Sequence, residues 1–330
     1  MTGLHRITRL LGAILVIGLA GCGASSSAAS LTTVTINMGY VPDIQFAPFY
    51  VAVEKGYYRK AGLNVRFDYS IEPNALKLLA EGRDQFVDSG GDEVLDAGAQ
   101  GLPVRYVMTQ YSRFPTAIFW LKSSHITGPQ SLRGKTIGLP GLYGASYVGL
   151  LAYLHSVGIP QSAVQLRSIG FNQVPAVANG KVDAAVGYAI NEPVELQAQG
   201  RQVGEIDVYH RVNIAGAGIA TSLSEMKKHP AIVRAFVQAT IHGMRDTIAD
   251  PAQAFNLSTK EIKGLSAQRK TQLLVLKRAD LYMRAEKGHA LGWVDPTVWS
   301  VTEKALLRYG QIKHSVTAAS YYTNRFIPGS

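Results

Sequence analysis

The sequence contains very little cysteine and no dense run of charge of one sign. Cys22 is the single cysteine in 330 residues, which excludes a disulfide framework and thiolate metal clusters. The formal net charge is +10, but the Lys and Arg residues are scattered and form no basic arm, so we expect no nucleic-acid partner. With 47% hydrophobic and 17% charged residues, the chain has enough apolar material for one large or two ordinary globular domains.

The apolar run near the N-terminus is too short to cross a bilayer. It extends from Leu10 to Ala20 after several basic residues, whereas a membrane-spanning helix needs about 20 residues, and this pattern is typical of a secretory signal. The run ends in Leu19-Ala20-Gly21-Cys22, which resembles the lipobox of bacterial lipoproteins. We therefore predict a signal peptide over 1–21, lipidation of Cys22 and a flexible tether over 22–31. The protein is then exported and lipid-anchored at the outer face of the cytoplasmic membrane or in the periplasm.

Short β patterns alternate with helical patterns from Leu31 onward, which predicts α/β construction with parallel strands. One series of strands and helices runs to Met108, and a second of the same order runs from Thr136 to about Asn191. We predict two α/β lobes joined by a double-crossing hinge. The first part of lobe 1 covers 32–115, lobe 2 covers 116–213, and the remainder of lobe 1, mostly helical, covers 214–330. The C-terminal helices are expected to pack back on lobe 1.

Ligands of such proteins bind in the crevice at the carboxyl ends of the strands, so the candidate site residues are those in the loops that follow the strands. They are aromatic, acidic or hydrogen-bonding: Tyr40, Asp43, Gln45, Phe46, Ser89, Asp92, Glu93, Tyr111, Tyr143, Ser146, Tyr147, Phe171, Gln173, Tyr188, Asn191 and Glu192. Aromatic rings stack on planar heteroaromatic ligands, while carboxylates and amides bond to ring edges or hydroxyls. This set suits an uncharged planar ligand better than a small anion.

Several motifs resemble those of known transport proteins. Tyr40–Ala52, Glu54–Tyr58, Ser131–Lys135, Gly138–Gly141 and Gly180–Ala184 look like landmarks of solute-binding proteins of the sulfonate, nitrate and thiamin-precursor group. Within that group, Gly90–Val94, Gly144–Tyr147 and Asn191–Pro193 look most like the riboflavin-binding proteins of bacterial ABC importers. The resemblance implies a type II periplasmic-binding-protein fold that closes on riboflavin and delivers it to a membrane permease. It also implies a monomer, with riboflavin as transported ligand and no cofactor.

Other interpretations remain open for the same residues. The cargo could be a formylaminopyrimidine or hydroxymethylpyrimidine, whose ring is smaller, whereas a sulfonate or nitrate would require more helix N-termini and an arginine such as Arg113. A relative of this fold synthesises the thiamin pyrimidine with a cysteine-rich segment that this chain lacks, so we expect no enzyme. Asp43 and Asp92 could instead cap helices, and the tyrosines could belong to the core.

Overall fold

The structure, a computed structural model, describes residues 30–70 and 72–329. The predicted signal peptide, the lipidation candidate Cys22 and nearly all of the predicted tether lie outside the described residues. None of the described helices combines the length and the apolar character that crossing a bilayer requires.

The described strands form two five-stranded sheets. The strands are β1 (Thr32–Asn37), β2 (Leu63–Asp68), β3 (Phe86–Gly90), β4 (Val104–Thr109), β5 (Thr116–Leu121), β6 (Thr136–Leu139), β7 (Gln165–Ser168), β8 (Ala184–Tyr188), β9 (Val203–Asp207) and β10 (Ala217–Ser222). The first sheet has the order β2-β1-β3-β10-β4, and the second has the order β7-β6-β8-β5-β9.

Both sheets have the same plan. In the first, β1 pairs in parallel with β2 and β3, while β10 is antiparallel to β3 and β4. In the second, β6 pairs in parallel with β7 and β8, while β5 is antiparallel to β8 and β9. The fourth strand of each sheet is reached from the other sheet. Residues 110–115 lead from β4 to β5, and residues 208–216 lead from β9 to β10. The chain thus crosses twice between the sheets, while the boundaries of the two lobes stay a prediction.

Helices cover the sheets, as parallel strands with few polar residues require. They are α1 (Ala47–Glu54), α2 (Tyr57–Lys60), α3 (Glu72–Ala80), α4 (Gly91–Ala99), α5 (Gly144–Ser156), α6 (Gln173–Ala178), α7 (Glu192–Ala198), α8 (Leu223–Lys228), α9 (Pro230–Ala249), α10 (Pro251–Ser258), α11 (Arg269–Met283) and α12 (Pro296–Arg308). The central strand β3 is buried throughout.

The C-terminal helices pack on helices of the first sheet, as expected, and some of them also reach the second sheet. Helix α9 packs on α1 and α2, α11 packs on α9 and α10, and α12 packs on α4. In addition, α11 contacts α7 and α12 contacts α5, which both belong to the second sheet. The physical reason is the shared core: one hydrophobic cluster joins Phe86 of β3 to Ile190, and another joins Leu95 of α4 to Leu150 of α5. Burying these apolar faces requires helices that bridge both sheets.

Candidate functional site

A cavity of about 790 Å³ lies where loops from the carboxyl ends of strands in both sheets meet. The first wall is formed by residues of the first sheet and its loops: Met38, Tyr40, Gln45, Phe46, Asp88, Tyr111 and Ala217. The second wall is formed by residues of the second sheet and its loops: Pro140, Tyr143, Gly144, Ala145, Ser146, Phe171, Gln173, Gly187, Tyr188, Asn191 and Glu192.

Aromatic rings line both walls. Tyr40 of the first wall and Phe171 of the second meet edge to face, with ring centroids 5.0 Å apart and an interplanar angle of 73°. Phe171 is 46% exposed and Tyr143 is 44% exposed, so both rings retain large faces that a planar ligand can cover. The ring of Tyr143 also lies over Gly141, where a Cβ atom would come within 2.2 Å of the ring. A side chain at position 141 would therefore displace Tyr143.

Glu192 is fixed at the edge of the cavity by the backbone of β8. Its Oε2 accepts a hydrogen bond of 2.8 Å from the Tyr188 amide N–H. Gly187 makes this approach possible, because a Cβ atom there would come within 2.6 Å of the same carboxylate. The carboxylate therefore occupies a defined position at the N-terminus of α7, which favours negative charge.

Three acidic groups near Tyr40 have a raised pKa, and burial is the largest cause for each. Burial, followed by the charges of Glu195 and Asp43, raises the pKa of Glu192 to about 7. Burial raises the pKa of Asp43 to about 6, although hydrogen bonds from Gln45 act in the opposite direction. Burial and the charge of Asp43 also raise the pKa of Glu195. This side of the cavity therefore carries less negative charge near neutral pH than its composition indicates.

Most of the predicted site residues lie in the cavity walls: Tyr40, Gln45, Phe46, Tyr111, Tyr143, Ser146, Phe171, Gln173, Tyr188, Asn191 and Glu192. Their contact with a ligand stays a prediction. Five other predicted residues are not part of the lining: Asp43, Ser89, Asp92, Glu93 and Tyr147.

The first four of these five organise the backbone around the first wall. Asp43 Oδ1 accepts a hydrogen bond of 2.9 Å from the Gln45 amide, which is the capping role that the sequence left open. Glu93 Oε2 accepts hydrogen bonds from Ser89 Oγ at 2.8 Å and from the Gly90 amide at 3.2 Å, at the start of α4. Asp92 is 1% exposed beside it. Glu93 therefore satisfies a backbone donor at the start of α4, and backbone hydrogen bonds from the Asp92 and Glu93 amides to the Asp92 carboxyl group lower the pKa of that group, against the effect of its burial.

Tyr147 lies on α5 and packs against the hydrophobic cluster shared by the two sheets. Tyr143 lies one turn earlier, at the N-cap of the same helix, and its ring is exposed in the cavity. Tyr147 is half-buried and does not line the cavity, so its predicted role as a ring that stacks on the ligand stays a prediction.

Several residues that line the cavity were not predicted as site residues from the sequence: Met38, Asp88, Pro140, Gly144, Ala145, Gly187 and Ala217. Asp88 is the most informative of them, because it lies within the buried strand β3 and is only 4% exposed. An aspartate inside an apolar strand is rare unless it is paired, and this signal was present in the sequence.

No basic side chain is present among the described residues that line the cavity. Arg113, the residue that could have favoured an anion, instead pairs with Glu286 at 3.2 Å and lies over the ring of Tyr209 at 5.4 Å. The described residues also contain no cluster of three or more His, Cys, Asp or Glu side chains placed to hold a metal ion. The chemistry of the lining is therefore aromatic, amide and acidic.

A second cavity, of about 590 Å³, lies between the first sheet and the segment that follows α11. Tyr111 lines both cavities, and the stacked rings of His289 and Trp293 lie on the far side of the second one. Because few residues there come from the loops at the carboxyl ends of parallel strands, the first cavity is the better candidate site.

The sequence is similar to those of binding proteins and of synthases. A family model described as NMT1/THI5 like matches residues 43–254. The riboflavin-binding protein RibY of Chloroflexus aurantiacus is 39% identical over 314 residues, which cover 93% of this chain and 89% of that protein. A formylaminopyrimidine-binding protein of Halalkalibacterium halodurans is 25% identical, covering 76% and 77% of the two chains. A 4-amino-5-hydroxymethyl-2-methylpyrimidine phosphate synthase of Legionella pneumophila is 26% identical, covering 89% and 92%.

Solved structures confirm the predicted fold class. The periplasmic aliphatic sulphonate-binding protein SsuA of Escherichia coli superimposes with a TM-score of 0.69 at 16% identity. The match covers 88% of this chain and 97% of SsuA. At this level of identity the likeness establishes the periplasmic-binding-protein fold and leaves the ligand open.

Proposed function

Because the chain belongs to the NMT1/THI5-like family, we propose that it is an extracytoplasmic solute-binding lipoprotein of an ABC importer. It binds riboflavin in the cavity between its two sheets and delivers it, unchanged, to a membrane permease. Cys22 is the proposed attachment point of the lipid, and the protein acts as a monomer.

The composition of the two walls is the observation on which this proposal rests. Rings such as Tyr40, Tyr143 and Phe171 can cover a large planar ring system. Among the described residues that line the cavity, no basic side chain is available to bind an anion. Gln45, Gln173 and Asn191 supply amide donors and acceptors for ring edges and hydroxyls. Riboflavin combines a flat uncharged ring with a chain of hydroxyl groups, which matches both features. The identity of 39% to a riboflavin-binding protein supports the same ligand.

A binding protein for a thiamin-precursor pyrimidine is the second candidate. The relative named as a formylaminopyrimidine-binding protein favours it. The synthases among the relatives suggest an enzyme instead. However, the lining contains no lysine, cysteine or histidine of the described residues to act as nucleophile or base, which supports binding without chemistry.

Fluorescence titration separates these candidates. The full chain, purified in detergent, is titrated with riboflavin, and we expect quenching that saturates near one ligand per chain. Calorimetry with formylaminopyrimidine and with hydroxymethylpyrimidine serves as the comparison. Tight pyrimidine binding without flavin quenching would contradict the riboflavin assignment, and steady conversion of either pyrimidine would contradict the assignment as a binding protein.

A further inference from the structure

Asp88 is the buried acid that lines the cavity from the middle of the first sheet. Its strand, β3, lies between β1 and β10, and the residue is 4% exposed. The flanking residues Val87 and Ser89 are also buried. Asp88 therefore reaches the cavity from a rigid element and not from a loop.

No cation compensates this carboxyl group. The ion pairs of the described residues do not include Asp88. Burial, followed by the negative charge of the Glu93 carboxylate, raises the pKa of Asp88 well above its usual range. The phenols of Tyr106 and Tyr111 are neutral at physiological pH, and burial raises the pKa of each further. An acid in these surroundings retains its proton and can donate a hydrogen bond.

Two buried oxygen atoms in the cavity lack protein partners. Asp88 Oδ1 has no hydrogen-bond partner among the described residues, and the same holds for Asn191 Oδ1. Asn191 is 5% exposed at the N-cap of α7, on the second wall. Buried polar atoms without partners are unfavourable. Twelve buried side-chain atoms of the described residues lack a partner, and these two are the ones whose residues line the cavity, one on each wall. A ligand that bonds to both would satisfy them.

We propose that Asp88 and Asn191 determine specificity by recognising the polar edge of a planar ligand. The Asp88 carboxyl group donates a hydrogen bond to a ring carbonyl or ring nitrogen, while Asn191 Oδ1 accepts one from a ring N–H. This inference rests on the proposed function, since the isoalloxazine edge carries carbonyl acceptors beside an imide N–H. A ligand held between these two residues contacts both walls at once.

Substitutions at Asp88 test the donor. Asp88→Ala removes it, whereas Asp88→Asn keeps the shape and an N–H donor, so Asp88→Asn should bind riboflavin about tenfold more tightly than Asp88→Ala. The matched control is Asp84→Asn, because Asp84 is 6% exposed with an unpartnered Oδ2 but does not line the cavity. The control should bind as the wild type does. Equal binding by Asp88→Ala and the wild type would overturn the proposal.

A melting measurement without riboflavin excludes a purely structural role. Removing an unpaired buried acid should leave the melting temperature of Asp88→Ala at or above that of the wild type. A marked fall would show that Asp88 supports the fold, and the proposal would be wrong.

Asn191 is tested through the ligand. Methylation of the imide nitrogen of riboflavin removes the N–H, so the wild type should bind the methylated compound at least tenfold more weakly than riboflavin. In Asn191→Ala, the affinities for riboflavin and for the methylated compound should differ much less than they do in the wild type. Unchanged discrimination in Asn191→Ala would overturn the assigned acceptor.

Infrared spectroscopy separates failure of this inference from failure of the proposed function. At neutral pH the difference spectrum between the wild type and Asp88→Asn should show the carbonyl band of a protonated carboxylic acid, because other raised acids such as Glu192 contribute equally to both proteins. If riboflavin does not bind, the riboflavin assignment fails, but this difference band still shows whether Asp88 is a neutral donor. Absence of the band from the difference spectrum would overturn the inference whichever ligand binds.

Discussion

The two walls of the cavity differ in how firmly the fold holds them. On the first wall, Phe46 is 3% exposed and Tyr111 is 1% exposed, and both belong to a hydrophobic core cluster. On the second wall, Tyr143 and Phe171 are 44% and 46% exposed and lie in loops. The first wall is therefore a preformed surface, whereas the second presents rings that can still adjust to a ligand.

This difference assigns separate tasks to the two walls. A buried ring such as Phe46 stabilises the fold whether or not a ligand is present. An exposed ring such as Tyr143 contributes little to the fold and gains its contacts only when a ligand covers it. Stability and affinity are therefore expected to respond to different residues, which mutation can separate.

The largest expected effect comes from a pair of truncations, one on each wall. Phe46→Ala should lower the free energy of unfolding by about 3–5 kcal/mol, because it removes a buried ring from the core. Tyr143→Ala should change that free energy by less than about 1 kcal/mol but weaken riboflavin binding about tenfold. Chemical denaturation measures the first quantity and fluorescence quenching the second.

Tyr147→Ala is the control for this pair. It removes the same kind of ring from α5, at a half-buried position that packs against a hydrophobic cluster and does not line the cavity. Its main effect should be a loss of stability. If Tyr143→Ala destabilised the fold as much as Tyr147→Ala, the distinction between the two walls would fail.

A smaller effect is expected from Glu192, whose pKa is raised by burial and by neighbouring carboxylates. In the unfolded chain its pKa lies near 4.5, and in the folded protein burial and the charges of Glu195 and Asp43 raise it to about 7. The fold therefore favours the protonated form. This contribution to stability is fully present below about pH 4.5 and is lost as the pH rises through about 7.

Glu192→Gln isolates that contribution. The variant should be more stable than the wild type above pH 7, by on the order of 1–3 kcal/mol, and the difference should shrink as the pH falls toward 4.5. Denaturation at a series of pH values measures this difference. Remaining pH dependence in the variant is expected, because the raised pKa values of Asp43 and Glu195 persist. Parallel curves for the two proteins would show that Glu192 does not titrate in this range.

Local patterns in the sequence were sufficient to predict most of the fold. The alternation of strands and helices up to Met108 and from Thr136 to about Asn191 was predicted and is observed, as is the mostly helical remainder, because turn residues flank clear periodic patterns. Helix α11 and strand β9 were not predicted. Many charged residues interrupt the apolar spacing of α11, and β9 is a half-buried edge strand. Their structure depends on what they pack against, which local patterns do not encode.

The candidate site was less predictable for a similar reason. The loops could be located, so Tyr40, Tyr143 and Asn191 were found, but the direction of each side chain depends on tertiary packing. Asp92 is buried, and Tyr147 is half-buried and outside the lining. Asp88 lies inside β3, whereas ligand-binding side chains were expected in the loops that follow the strands.

The smallest effect is expected at Arg113, which lies in a crossing segment and outside both walls. Its pairing with Glu286 joins side chains that are 40% and 44% exposed, so Arg113→Gln should change the free energy of unfolding by less than about 1 kcal/mol. Riboflavin affinity should stay within about twofold of the wild type at both low and high salt, because no charge is removed from the cavity. A tenfold loss of affinity that high salt abolishes would show that this guanidinium group acts on the ligand. The comparison between a fixed and an adjustable wall would then have to include the crossing segment as a third, electrostatic component.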